Sequence, residues 1–261
     1  MFGNYLIETL HTHYDRDVRD AEGALIRPFM PRNKPHGSDL ITSLRDVRNA
    51  IFDPHRTACQ GRYWPTDFPP WSTVAGYYER GLRDRTWERV LDALRGQERQ
   101  RQGRSSDSTA GSVDRPTVKV PPQAGEHGDH GHQCVQGRQR HLLVDPLGWW
   151  REVVLTAAKI DDRVGAQLRA YQAQAKFPRR KQLWADSGDL GAPWLEWFPW
   201  FCGGVLELVK RSASPAKFLV VPRRGVVERT CAGFDRYRRL SKDDEVLNKA
   251  RETRCRLAMI P

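Results

Sequence analysis

The chain has no C-x-x-C motif and no two cysteines close in sequence, and its five cysteines, Cys59, Cys134, Cys202, Cys231 and Cys255, cannot all be paired with one another. That usage speaks against a disulfide scaffold and predicts a reducing compartment. Also missing is any apolar run approaching the ~20 residues that span a bilayer. The first ten residues, Met1-Phe-Gly-Asn-Tyr-Leu-Ile-Glu-Thr-Leu, have neither the basic start nor the apolar length of a signal peptide. A soluble, unexported cytoplasmic protein with no membrane partner is therefore expected. From residue 96 to 110 the only apolar side chain is Ala110, and the Gln, Arg, Ser, Asp and Gly content reads as a flexible linker. Gly125, Gly128 and Gly131 lack the preceding strand and following helix of a phosphate-binding loop.

What the chain does have is positive charge. Its 261 residues carry 43 Lys and Arg against 32 Asp and Glu, a formal +11, and most of the basic residues are Arg. The planar guanidinium fork suits phosphate, so nucleic acid is the leading partner. The length suffices for one large domain or two small ones, each able to bury a core.

Two regions flank the expected linker. Residues 1–95 are mostly helical in pattern, with apolar positions three and four apart in 44–52, 74–82 and 87–94. Short helices joined by turns suggest a small all-α, helix-turn-helix-like DNA-binding module. Its helix from Trp71 follows Pro69 and Pro70, with Ser72 or Thr73 available as a cap. If that helix enters a groove, Tyr77 and Arg80, with Tyr78, Arg83 and Arg85, can meet bases or phosphates. Residues 111–261 read as an α/β domain, beginning with strand-like runs at 110–120, 140–144 and 150–155. A helix at 161–175, strands at 182–185 and 205–209, and a long basic helix follow, giving a mixed sheet flanked by helices.

Three carboxylates in that domain stand out. Asp114 lies in Gly111-Ser-Val-Asp-Arg-Pro-Thr-Val-Lys, Asp186 in Leu183-Trp-Ala-Asp-Ser-Gly, and Glu228 in the cationic segment Pro222-Arg-Arg-Gly-Val-Val-Glu-Arg-Thr. Separations of 72 and 42 residues mean that only folding can gather them. Gathered, they would repel until a cation enters. Hard oxygen ligands of this kind suit magnesium, and two such ions ~3.5–4 Å apart can activate an attacking oxygen and stabilise a leaving one. Each acid also has an ordinary reading, Asp186 as a turn residue before Ser-Gly and Glu228 as the i,i+4 partner of Arg224. His127, His130, His132 and Cys134 fit no standard zinc spacing but leave a basic zinc-binding adaptor as a further reading.

These segments resemble the catalytic block of DDE transposases of bacterial insertion sequences, specifically the insertion sequence five group. Gly137-Arg-Gln-Arg-His-Leu-Leu-Val-Asp-Pro-Leu-Gly is similar to that group's second strand and turn, and Asp67-Phe-Pro-Pro-Trp-Ser-Thr-Val to its N-terminal domain. Ala24-Leu-Ile-Arg-Pro-Phe-Met-Pro and Asn49-Ala-Ile-Phe extend the likeness, which runs from about residue 14 to 260. The resemblance implies an RNase H-like catalytic domain in which Asp114, Asp186 and Glu228 are both catalytic residues and ligands of two Mg ions, with Mn able to substitute. It implies Arg224 near the scissile phosphate, while Arg229, Arg236, Arg238 and Arg239 read as sequence-independent phosphate contacts. Its partners would be double-stranded DNA, as terminal inverted repeats and target, bound by a homo-oligomer in the bacterial nucleoid. A catalytically inactive DNA-binding remnant is the alternative.

The likeness has gaps. Gly23, Gly61, Gly81, Gly225 and Gly233 stand where the group usually has tryptophan, and each loss of a buried aromatic is expected to leave a void costing ~3–5 kcal/mol. Pro54 interrupts an apolar helical stretch, so the helix is expected to end near Phe52. Asp189 replaces a common aromatic, and the chain stops at Pro261 where the last helix usually continues, so a degenerate copy is expected.

Overall fold

The computed structural model describes residues 14, 15, 17–31, 42–122, 125, 127–130, 135–157, 179, 181–186, 203–209 and 222–260. For Arg62, Asp129, His130, Val135, Asp186, Asp235 and residues 222–224 the description covers the backbone only. The helix expected at 161–175, Asp189, His132 and Cys134 lie outside the described residues.

Four helices come first: α1 (Asp20–Ile26), α2 (Leu44–Thr57), α3 (Trp71–Arg83) and α4 (Thr86–Arg101). Their apolar stripes meet in one core of Ile26, Val47, Ile51, Phe52, Val74, Trp87, Val90 and Leu94. Helix α2 starts where Ser43 Oγ accepts the Asp46 N–H at 3.3 Å, satisfying one of the donors that a helix start leaves open. It does not stop near Phe52. Pro54 removes one backbone donor, yet the last turn closes through Ala58 N–H to Pro54 O at 2.9 Å and Thr57 Oγ1 to Asp53 O at 3.0 Å. Ala58 then ends it in the left-handed conformation, φ 57°. At α3 the residue before the first turn is Pro70, with no side-chain cap, so Ser72 and Thr73 sit inside the helix.

Two of the expected voids are filled. Beside Gly81 a Cβ would lie 2.6 Å from Trp87 Nε1, so the indole of the next helix takes up that space. Beside Gly23 it would lie 2.9 Å from the Arg48 guanidinium, which donates to Gly23 O at 2.6 Å.

The sheet has seven strands among the described residues: β1 (Ala110–Asp114), β2 (Thr117–Lys119), β3 (Gly128–His130), β4 (Val135–Val144), β5 (Trp150–Ala157), β6 (Gln182–Asp186) and β7 (Val205–Val209). Its backbone order is β5-β4-β1-β6-β7. Strand β4 runs antiparallel to β5 and β1, and β6 is parallel to both β1 and β7. The short β2 continues the β1 edge of β4 after Asp114 in the same register, with Arg140 N–H donating to Pro116 O at 2.9 Å between the two strands. Gly111 is required by close packing, since a Cβ there would meet Val144 O at 2.9 Å and the Leu143 side chain at 3.0 Å. Helices α5 (Pro222–Gly233) and α6 (Asn248–Leu257) cover one face, burying Val227, Phe234 and Cys255 against Leu142, Val144, Trp150 and Leu155. Between them the chain makes two 3-10 turns, Phe234–Arg236 and Arg238–Leu240, rather than one long helix. This mixed sheet with its helical face is an RNase H-like α/β fold.

The stretch read as a linker is ordered at both ends. Helix α4 continues to Arg101, and Arg99, 5% exposed, pairs with the buried Asp145 at 2.9 Å. Arg95 donates to Trp150 O at 3.1 Å. Leu257 and Ile260, at the far end of the chain, close the N-terminal helical core, so the helices and the sheet share packing. Among the described residues no helix is long and apolar enough to cross a membrane.

Candidate active site

Parallel pairing of β1 with β6 sets Ala110 opposite Gln182, Gly111 opposite Leu183 and Ser112 opposite Trp184. Asp114 and Asp186 each lie two residues beyond the last of these pairs and are each the last residue of their strand. Neighbouring strands lie ~4.8 Å apart, so residues distant in sequence become neighbours at one sheet edge. Asp114 also sits opposite Leu142 in the β1–β4 ladder. Leu142 belongs to the apolar cluster under α5, and since facing strand residues share a side of the pleat, Asp114 is on the α5 side.

Helix α5 packs across β1, β4 and β6. Val227 is its buried anchor, 3% exposed, while Glu228 one position on is exposed. A second tie comes from Thr230, whose hydroxyl donates to Gly148 O at 3.0 Å. Gly148 has φ +93°, and a Cβ there would meet Thr230 Oγ1 at 3.1 Å, so the β4–β5 turn needs glycine to seat the helix.

Asp114 and α5 meet at a residue that sequence reasoning did not single out. The Cys231 thiol, half-buried, donates to Asp114 Oδ2 at 3.6 Å. Asp114 Oδ1 accepts the Arg115 backbone N–H at 2.8 Å. Burial, the Asp114 charge, the bond to Asp114 and the Glu228 charge together push the Cys231 thiol far above its ordinary range, against the opposing pull of Arg140. Both carboxylates thus bear on one sulfur. The available signal in the sequence was spacing: Cys231 follows Glu228 by three, which puts the two on one helical face.

Placement of the other expected site residues is uneven. Arg224 precedes Glu228 by one turn on α5, with its backbone alone described. Arg229, Arg236 and Arg238 are exposed on α5 and the turns after it, and Arg80 is exposed on α3. Tyr77 is half-buried against the helical core, and Tyr78 is a packing residue. Its hydroxyl donates to Ala250 O at 3.2 Å, Arg254 stacks 4.3 Å from its ring centre, and burial pushes its pKa to about 12. Arg85 pairs with Glu88 at 2.7 Å. Arg239 is held by Glu245 at 2.8 Å, so its guanidinium braces the turn instead of standing open for a phosphate. At His127, Nδ1 lies 2.7 Å from Gly125 O, and His130 ends β3.

The donors at Asp114 and Glu228 are carboxylate oxygens, the type that hard divalent cations take. Among the described residues no three of His, Cys, Asp or Glu lie close enough together to hold a metal ion. The third acid, Asp186, contributes backbone only to that description.

Comparison with known families bears directly on this arrangement. Residues 105–260 match the family model described as "Transposase DDE domain", more than half of the chain, and residues 18–91 match "Putative transposase of IS4/5 family". The chain belongs to the DDE-domain transposases. No curated protein matches it. The DDE domain begins just after α4 and takes in all seven strands with α5 and α6, while the IS4/5 match covers α1 to the first part of α4. Domains of this family are enzymes that generally depend on divalent metal.

Proposed function

We propose that this transposase binds the terminal inverted repeats of an insertion sequence and cuts and rejoins DNA, with Asp114, Asp186 and Glu228 as catalytic residues. One feature supports the reading above all: β1 and β6 pair in parallel up to Ser112 opposite Trp184, two residues short of Asp114 and Asp186, and α5, which carries Glu228, packs against both strands. The three carboxylates would hold two Mg ions, or Mn in their place. Such ions supply charge neutralisation at the attacking and leaving oxygens of a phosphodiester.

The chain's own groups do the positioning. Arg115 N–H and the Cys231 thiol fix the two oxygens of Asp114. Arg224 and the exposed Arg229 flank Glu228 on α5 and hold the scissile phosphate and its neighbour, while the exposed Arg236 and Arg238 carry the flanking backbone. On α3, Arg80 and Tyr77 approach the repeat. Water attacks the phosphodiester at the element's end and frees a 3′-hydroxyl, which then attacks target DNA. The N-terminal helices serve binding and the RNase H-like part serves chemistry, in a homo-oligomer acting on paired ends in the nucleoid.

The test uses purified full-length protein and labelled DNA from the ends of the element that carries this reading frame. Nicking is expected with Mg or Mn, and none is expected with Asp114→Ala or Glu228→Ala. Repeat binding without nicking under every divalent ion would leave only the DNA-binding remnant, and nicking retained by both variants would reject the assigned residues.

A further inference from the structure

We infer that Cys231 is a positioning residue for Asp114: its thiol holds the carboxylate in the orientation that receives the divalent ion and ties that orientation to the seating of α5. The inference rests on the metal-dependent reading above. Asp114 is the last residue of β1, and a carboxylate there can rotate unless both oxygens are restrained. Oδ1 is restrained locally by the next backbone N–H. Oδ2 is restrained from 117 residues away, by the helix that also carries Glu228.

The chemistry of the donor suits that task. A thiol is a weak hydrogen-bond donor, so it can orient the carboxylate oxygen and still yield it to a cation. The thiol lies 3.6 Å from Asp114 Oδ2, within donating reach of that oxygen. Its neighbours hold it in place. Val227 below is anchored in the apolar cluster, and Thr230 is tied to the β4–β5 turn by Gly148 O. When α5 is seated, the thiol meets Asp114; when α5 is displaced, Glu228 and the restraint on Asp114 leave together.

Partners that orient metal ligands typically contribute 10–100-fold in metal affinity, and for a weak thiol donor the expected loss is about 10-fold, at the low end of that range. The experiment is a Mn²⁺ titration of the full chain without DNA, read by electron paramagnetic resonance of the free ion, with thermal melts of each variant alongside. Cys231→Ala and Cys231→Val remove the donor, the second with little loss of volume, and both are expected to weaken Mn²⁺ binding about equally while still melting cooperatively. Cys231→Ser keeps a donor with a shorter reach and is expected to recover part of the affinity. Binding by Ala and Val variants within two-fold of the parent would overturn the inference, as would a Ser variant no better than Ala. Asp114→Asn separates the two levels: if the parent binds no Mn²⁺, or Asp114→Asn binds it as well as the parent, the metal-site reading itself fails and takes this inference with it.

Discussion

Two pairs of acidic residues sit on the same helical face of this sheet and are treated in opposite ways. Asp243 and Glu245, in the turn before α6, are enclosed by arginines. Arg251 reaches Asp243 at 3.0 Å and Arg138 reaches it at 3.3 Å, while Arg239 and Arg254 reach Glu245 at 2.8 and 3.3 Å. Asp114 accepts the Arg115 backbone N–H and the Cys231 thiol, and Glu228 is exposed. Burial raises the Asp243 carboxyl despite its guanidiniums, whereas at Glu245 burial pushes up and Arg254 and Arg239 outweigh it, so that carboxyl ends below its usual range. The enclosed pair belongs to the architecture: Asp243 N–H reaches Lys119 O at 3.0 Å, and Arg251 donates to Asn248 Oδ1 and Val246 O. Asp114 and Glu228 are the pair that the proposed function assigns to an incoming cation and a phosphate.

The comparison breaks most easily at Arg251, which is 2% exposed. Replacing it with Met leaves a buried carboxylate short of its closest cation, and loss of one partner from a buried pair costs about 3–5 kcal/mol. For a chain of this size that lowers the melting temperature by roughly 10 °C. Glu228→Gln, on an exposed side chain, is expected to change stability by less than about 0.5 kcal/mol while abolishing metal-dependent nicking. Melts of the two variants side by side decide the matter; a Glu228→Gln protein that melts as low as Arg251→Met would make Glu228 a structural acid like Asp243.

The enclosed side should also carry a pH signature. His55 is 1% exposed, its Nε2 lies 3.3 Å from Arg254 Nη1, and burial followed by the Arg254 and Arg239 charges holds its pKa well below 6.5. Below 6.5 the unfolded chain takes up a proton at this position that the folded chain refuses, so stability falls as pH drops. Between pH 7 and 5.5 the loss from this one group is about 1–1.5 kcal/mol. Melting curves of the parent across that interval should slope, and those of His55→Asn should be flatter by that amount. Equal slopes would mean that His55 is not the group that senses pH.

The strand-forming runs at 110–120, 140–144, 150–155 and 182–185 are legible in the sequence because each is a short local pattern, and Asp114 and Asp186 end two of the observed strands. Strand 205–209 and the start of the cationic helix at Pro222 were equally local. The rest depended on contacts that no local pattern encodes. Cys231 gains its role from a residue 117 positions away. Arg239 looks like any other member of a basic run until Glu245 claims it. The glycines at 23 and 81 suggested voids because the sequence does not say that Arg48 and Trp87 lean into the space. Pro54 carries a helix-ending preference of its own, but the turn containing it is held from outside, with His55 against Arg254. The polar stretch after residue 95 reads as linker in the sequence because its anchoring groups, Arg95 and Arg99, are arginines, and buried arginine has the same composition as exposed arginine.

That last ambiguity gives the finest test of the contrast, between two arginines three residues apart. Arg236 is exposed, whereas Arg239 is bound to Glu245. Each phosphate neutralised on duplex DNA contributes about 0.9 to the log–log dependence of affinity on salt. Arg236→Ala is therefore expected to reduce that slope by about 0.9 with no change in melting temperature, and Arg80→Ala to do the same from the N-terminal helices. Arg239→Ala should leave the slope alone and remove only its partly exposed ion pair, about 1 kcal/mol at most. Binding isotherms on non-specific duplex at several salt concentrations measure the first quantity and melts the second. A lowered slope in Arg239→Ala would show that DNA pulls this guanidinium away from Glu245, and the enclosed cluster would then be part of the DNA surface after all.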